Sequence, residues 1–148
     1  MTVMTGQIDG HRVQPGTPSL ADIETLAAQA YARLPAHFRA VCEDLVIRVE
    51  DFPTAEVVDA MGLRSRYDLL GLFQGIGVPF RHDITGQMPN MIWLYRRPIL
   101  VYWHDRGDSL KAIVTHVLVH EIGHHFGFSD ADMEAIEATA EQAKEPDV

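Results

Sequence analysis

The residues of this chain that can do chemistry crowd into one stretch. Four of its eight histidines, His116, His120, His124 and His125, fall within ten residues. Among them stands His120-Glu121-Ile122-Gly123-His124, an H-E-x-x-H arrangement. Side chains four apart on an α-helix leave the same face about one turn apart, so these two imidazoles can converge on a single metal ion. Glu121 follows the first imidazole directly and can reach a water beside the ion without ligating it. Gly127 comes three residues after His124, and Asp130 six after it. A glycine there can take a positive φ, end the helix and turn the chain back, which brings Asp130 to where a third ligand approaches from outside the helix. Two imidazoles and one carboxylate leave a fourth tetrahedral position open, as in catalytic rather than structural zinc. One zinc ion per chain in that setting lowers the pKa of water toward about 7 and polarises a carbonyl, and Glu121 becomes its general base. The whole pattern arises by chance in a chain of this composition with a probability on the order of one in several thousand.

The elements that must position these groups follow from periodicity and caps. Asp108 is the expected N-cap of a helix from Ser109 to about Phe126, closed by Gly127. Ser129 with Asp132 opens a last helix to about Ala143. Upstream, Ser19 with Asp22 caps a helix whose Leu20, Ile23, Leu26, Ala27, Ala30, Tyr31 and Leu34 make one apolar face. Pro35 interrupts it and opens a short second helix through Cys42. Leu45 to Glu50 reads as a strand, Thr54 to Met61 as a short helix capped by Thr54, and Leu69 to Phe73 as a weaker strand. Gly77 to Asn90 reads as a loop, and Met91 to Tyr95 as a good strand. Ile99 to Trp103 reads as a further strand, which Pro98 keeps away from a central position. This order predicts an α+β domain with one mixed sheet of three to four strands, packed with the histidine-bearing helix and flanking helices. The domain spans residues 19–143, between a flexible tail at 1–18 and a short tail at 144–148.

The run from His120 through His125-Phe126-Gly127-Phe128-Ser129-Asp130 to Met133 resembles the small bacterial minimal-zincin metallopeptidase-like proteins. Ile92-Trp93-Leu94-Tyr95-Arg96-Arg97-Pro98 is similar to the strand that precedes the active-site helix in that family. The likeness covers Leu45 to about Ala140. It implies a small zincin-like domain, a zinc metallopeptidase with His120, His124 and Asp130 as ligands and Glu121 as catalytic base, and an extended peptide or protein substrate paired to a sheet edge. The chain departs from larger zincins in ways that matter. Metzincins place histidine where Asp130 stands and carry a methionine turn far downstream, whereas Met133 comes three residues after Asp130. Gluzincins take the third ligand from a glutamate on a later helix, so Glu134 and Glu137 stand as the alternative to Asp130. Only 24 residues follow His124, so much of the lower wall of a substrate cleft is missing.

Each residue also has a plainer role. Asp130 can be a first-turn carboxylate complementing the dipole of the last helix. His116 and His125 can face solvent or support the ligands. Cys42 is a small buried apolar residue, and Tyr95, Tyr102 and His104 are the candidate oxyanion donors.

Composition narrows the alternatives. A formal charge of −9, from 12 basic and 21 acidic residues, disfavours a nucleic-acid partner. It also disfavours the metal-dependent endoribonuclease reading, whose family sets three histidines at comparable offsets where this chain has Asp130. A metal-binding module with little or no peptidase activity is the other alternative. No apolar stretch approaches the roughly 18 residues of a membrane span. The first twenty residues lack the apolar core of a signal peptide, and a single cysteine suits a reducing compartment, so a cytoplasmic location is expected. Nothing in the sequence sets the oligomeric state.

Overall fold

Ser19 opens helix α1 (Leu20–Ala32) as its spacing predicts. Its Oγ accepts from the Asp22 N–H at 3.1 Å, and Asp22 Oδ2 accepts from the Ser19 N–H at 2.9 Å. A computed structural model describes residues 16–42, 44–74 and 90–142. Residues 1–15 of the expected tail at 1–18, nearly all of the expected loop at 77–90 and the last residues, 143–148, therefore lie outside the described residues. The inner face of α1 buries Ile23, Ala27 and Ala30. After Pro35, the short α2 (Ala36–Ala40) plants Phe38 in the core.

Three strands, β1 (Val46–Glu50), β2 (Gly71–Gln74) and β3 (Met91–Tyr95), form a mixed sheet in the order β1-β3-β2. β3 runs parallel to β1, with Ile47 opposite Ile92, and antiparallel to β2, with Phe73 also opposite Ile92. Ile92 and Leu94 of the central strand are wholly buried and alternate with half-buried neighbours, the period of two that one packed face demands. Between β1 and β2 lie α3 (Ala55–Ala60), where Thr54 Oγ1 accepts from the Val57 N–H, and a 3-10 turn at Arg66–Asp68.

The expected fourth strand is a helix. Tyr95 ends β3 and serves as N-cap of α4 (Arg96–Arg106), which contains the whole of Ile99 to Trp103. Pro98 permits it. It occupies the first turn of the helix, where an N–H would have no intrahelical acceptor, so its missing donor costs nothing there. Ile99, Tyr102, Trp103 and Arg106 then recur at helical spacing, and Gly107 closes the helix at φ 83°. Arg96 ties this corner together, with its guanidinium 3.0 Å from Asp51 Oδ1 and its Nε donating to the Pro18 carbonyl at 2.7 Å.

Helix α5 (Leu110–His125) carries the H-E-x-x-H motif through the middle of the domain. Its N-cap is Ser109 rather than Asp108, because the Ser109 hydroxyl is the group that accepts from the Ala112 N–H, at 3.0 Å. Ile113, Val114, Val117, Leu118, Val119 and Ile122 are buried on nearly all sides, and α1, α4, β2, β3 and α6 (Asp130–Gln142) pack around them. A helix so apolar is stable only when enclosed. At its end the Phe128 N–H donates to the Gly123 carbonyl at 2.8 Å and the Gly127 N–H to the His124 carbonyl at 3.3 Å, while Gly127 takes φ 81°. This reversal is a Schellman closure. Ser129 and Asp132 then form the expected capping box of α6, with the Asp132 N–H 3.0 Å from Ser129 Oγ.

Gly123 lets α6 come close. A Cβ at this position would lie 2.4 Å from Met133 Sδ and 2.8 Å from its Cγ, and Met133 is wholly buried. In an open helix, Gly→Ala stabilises by up to about 1 kcal/mol. Here overpacking reverses the sign. Gly123→Ala is expected to cost about 1–3 kcal/mol in urea unfolding, and an unchanged or raised midpoint would contradict the close α5–α6 contact.

Candidate metal centre

Helix α5 presents its histidines as a stripe. His116, His120 and His124 lie one turn apart, with ring centroids 4.0 Å apart for the first pair and 5.6 Å for the second, which meets edge to face. The stripe breaks the apolar surface of the helix, and its His116 and His120 face α6. His116 and His124 are exposed, and His120 is half-buried.

Glu137 of α6 reaches across to this stripe. Its Oε2 lies 2.8 Å from His120 Nε2, and both of its oxygens lie 3.1 Å from His116 Nδ1. Among the described residues, His116, His120 and Glu137 form a group of metal-ligating side chains whose ligand atoms all lie within 4.8 Å of one another. His124 and Asp130 are outside that group. Asp130 is exposed at the start of α6, immediately after the Ser129 cap. The structure thus brings the His120–His124 pair onto one helix face, with Asp130 beyond the glycine turn. Of the two glutamates weighed against Asp130, it brings Glu137 onto the stripe, while Glu134 is exposed.

Glu121 occupies the neighbouring flank, towards the sheet. Its carboxylate accepts from the Phe73 backbone N–H of edge strand β2. Burial is the main influence on it and raises its pKa above the usual glutamate value; nearby His124 and the Phe73 hydrogen bond pull the other way. A half-buried carboxyl so placed is closer to neutral pH than a solvated one, which suits a group that must both take and return a proton.

The three candidate oxyanion donors differ in their surroundings. Tyr95, at the end of β3, is 3% exposed; burial raises its pKa, and the charges of Glu50 and Glu121 add to the effect. Tyr102 lies beneath the Arg106 guanidinium, 4.8 Å from its ring centroid. His104 is exposed beside Asp105. Tyr95 is therefore the candidate electrostatically coupled to Glu121.

Two contacts had no readable signal in the sequence. One is the Phe73 N–H, a backbone donor whose position depends on strand register. The other is the aromatic group in which the Phe73 ring meets His125 at 4.4 Å and Phe126 at 5.6 Å. Cys42, by contrast, is the buried small residue expected, with its Sγ 3.1 Å from the Tyr31 hydroxyl.

The donor set, imidazole nitrogens with carboxylate oxygens, is the mixture zinc accepts. Among the described residues no helix is long and apolar enough to cross a membrane. A search of curated proteins finds no match. A family comparison matches residues 42–140 to the zincin-like metallopeptidases. That match spans both the sheet and the histidine stripe, and the chain belongs to the zincin-like metallopeptidase family.

Proposed function

We propose that the chain is a zinc-dependent hydrolase of peptide bonds, with zinc held by His120, His124 and Asp130 and with Glu121 as general base. The observation that carries this reading is the placement of Glu121. It directly follows a ligand histidine, is partly desolvated, and has the Phe73 N–H of strand β2 favouring its ionised form. When bound, zinc supplies Lewis acidity to a carbonyl oxygen and to water.

The remaining steps belong to the chain's own residues. Glu121 accepts the proton of the attacking water at its carboxylate and delivers it to the departing amine. Among the described residues β2 is paired only by β3, and its outer edge, beside Glu121, is the docking line in this reading for an extended peptide. Such a strand would pass the Phe73 amide and the carboxylate it holds. The aromatic group of Phe73, His125 and Phe126 supplies an apolar wall at the same end, with Phe126 36% exposed.

A second assignment of the third ligand has its own support. Glu137 already contacts His120 Nε2 at 2.8 Å, whereas Asp130 is exposed. Metal analysis separates the two. In a His116→Ala background, where the neighbouring stripe histidine cannot stand in as a ligand, the chain is expected to hold one zinc, adding His120→Ala or Asp130→Ala to lose it, and adding Glu137→Gln to keep it. Loss with Glu137→Gln and retention with Asp130→Ala would transfer the role to Glu137.

Glu121→Gln is expected to keep its zinc while kcat on a peptide library falls by roughly 100-fold or more. Cleavage at the parent rate would remove Glu121 as the base. The same substitution carries a stability signature in chelated protein. Glu121 has its folded pKa raised above the unfolded value, so the folded state disfavours the ionised form, and stability that is fully present below the unfolded value is lost as pH rises through the folded one. Glu121→Gln removes that loss. Its melting temperature is expected to exceed the parent's at pH 7 and to converge with it near pH 4. A gap of the same size at both pH values would show that the gain does not come from ionisation.

A further inference from the structure

The histidine stripe extends one turn beyond the H-E-x-x-H pair, and α6 meets it there. His116 Nδ1 and His120 Nε2 converge on one carboxylate, at 3.1 and 2.8 Å from Glu137 Oε2. These are hydrogen-bond distances. Donors around a tetrahedral zinc at roughly 2.1 Å stand about 3.4 Å apart, so a small outward movement of each group makes room for a cation. Two nitrogens and one oxygen again leave a position open. His116 and Glu137 also line a surface cavity together with Tyr102, Arg106 and Asp108, which gives the position a route to solvent.

We propose that His116, His120 and Glu137 form a second divalent-cation site that overlaps the hydrolytic site through His120. The upstream site needs neither His124 nor Asp130. Because both sites draw on the His120 ring, a cation in one excludes a cation in the other. The overlap rests on the assignment of His120 to the hydrolytic centre; binding at the upstream group does not. A zinc ion held upstream is therefore a resting position with its own ligand set, and Glu137 is the residue that decides occupancy between the two.

The test is titration of the full-length, chelator-stripped chain with zinc alone, read by calorimetry or equilibrium dialysis. It starts from His124→Ala, which disables the motif pair at an exposed position and leaves the core intact. That variant is expected to bind one zinc per chain. Adding either His116→Ala or the isosteric Glu137→Gln is expected to weaken binding by at least about tenfold. Both added changes are at positions outside the core, so the stripped variants are expected to melt within a few degrees of His124→Ala, and the comparison is made among those that do. Failure of His124→Ala to bind zinc, or binding that survives either added substitution, overturns the proposal. Peptide cleavage is not the readout, so a chain that binds zinc in this way but cleaves nothing would sink the hydrolase reading alone.

Discussion

The site depends on how closely two helices approach. Met133 lies against Gly123 so tightly that a single methyl group on the glycine would overlap its sulfur. That contact fixes α6 across the last turns of α5. The glycine in the middle of H-E-x-x-H is therefore part of the site's construction, although it touches no candidate ligand. With α6 held there, Glu137 can reach the histidine stripe, and Asp130 begins the same helix just past the turn at Gly127. Both potential carboxylate ligands are consequences of one packing contact. Helix α5, enclosed by apolar neighbours, supplies the rigid element on which such a site has to be built.

The electrostatics divide the motif between two sides of the helix. On the α6 side, imidazoles face a carboxylate at hydrogen-bonding distance, an arrangement that suits a cation. On the sheet side, Glu121 is desolvated and held by one backbone amide, with buried Tyr95 nearby. The two sides surround a carboxyl differently: two imidazoles stand within hydrogen-bond distance of Glu137, whereas burial raises the pKa of Glu121. The fold thus gives two kinds of glutamate to one helix pair, differing in what surrounds them rather than in chemistry. The partly buried carboxyl of Glu121 makes the folded state less favourable at neutral pH than it would be with an amide there, a common feature of functional sites.

The helices that carry the chemistry were legible because their signals are local. Ser19 with Asp22 and Ser129 with Asp132 form capping boxes visible at a three-residue spacing, and Gly127 marks its helix end. The central strand declared itself through Met91 to Tyr95. The stretch from Ile99 to Trp103 misled because apolar residues beside a proline fit either an edge strand or the first turn of a helix. What decided it was that β3 ends directly before it. The Ser109 cap turned on which of two adjacent capping residues reaches the Ala112 amide. The contacts of Glu137 and Phe73 were beyond local reading. A glutamate sixteen residues after Glu121, and an amide on a distant strand, join the site only through the crossing of α5 and α6 and the register of β2 on β3. Family membership accounts for the fold and the class of chemistry; these long-range contacts follow from how the helices and strands pack.

The central claim is that His120 is the pivot of metal binding, shared by whichever carboxylate completes the site. Anomalous diffraction at the zinc edge from crystals of the zinc-loaded chain tests it most directly. The expected result is a peak within about 2.0–2.1 Å of a His120 ring nitrogen, with a second histidine of the α5 stripe and a carboxylate of α6 completing the shell. A fully occupied zinc peak away from His120, or none in protein that elutes with stoichiometric zinc before crystallisation, would contradict it.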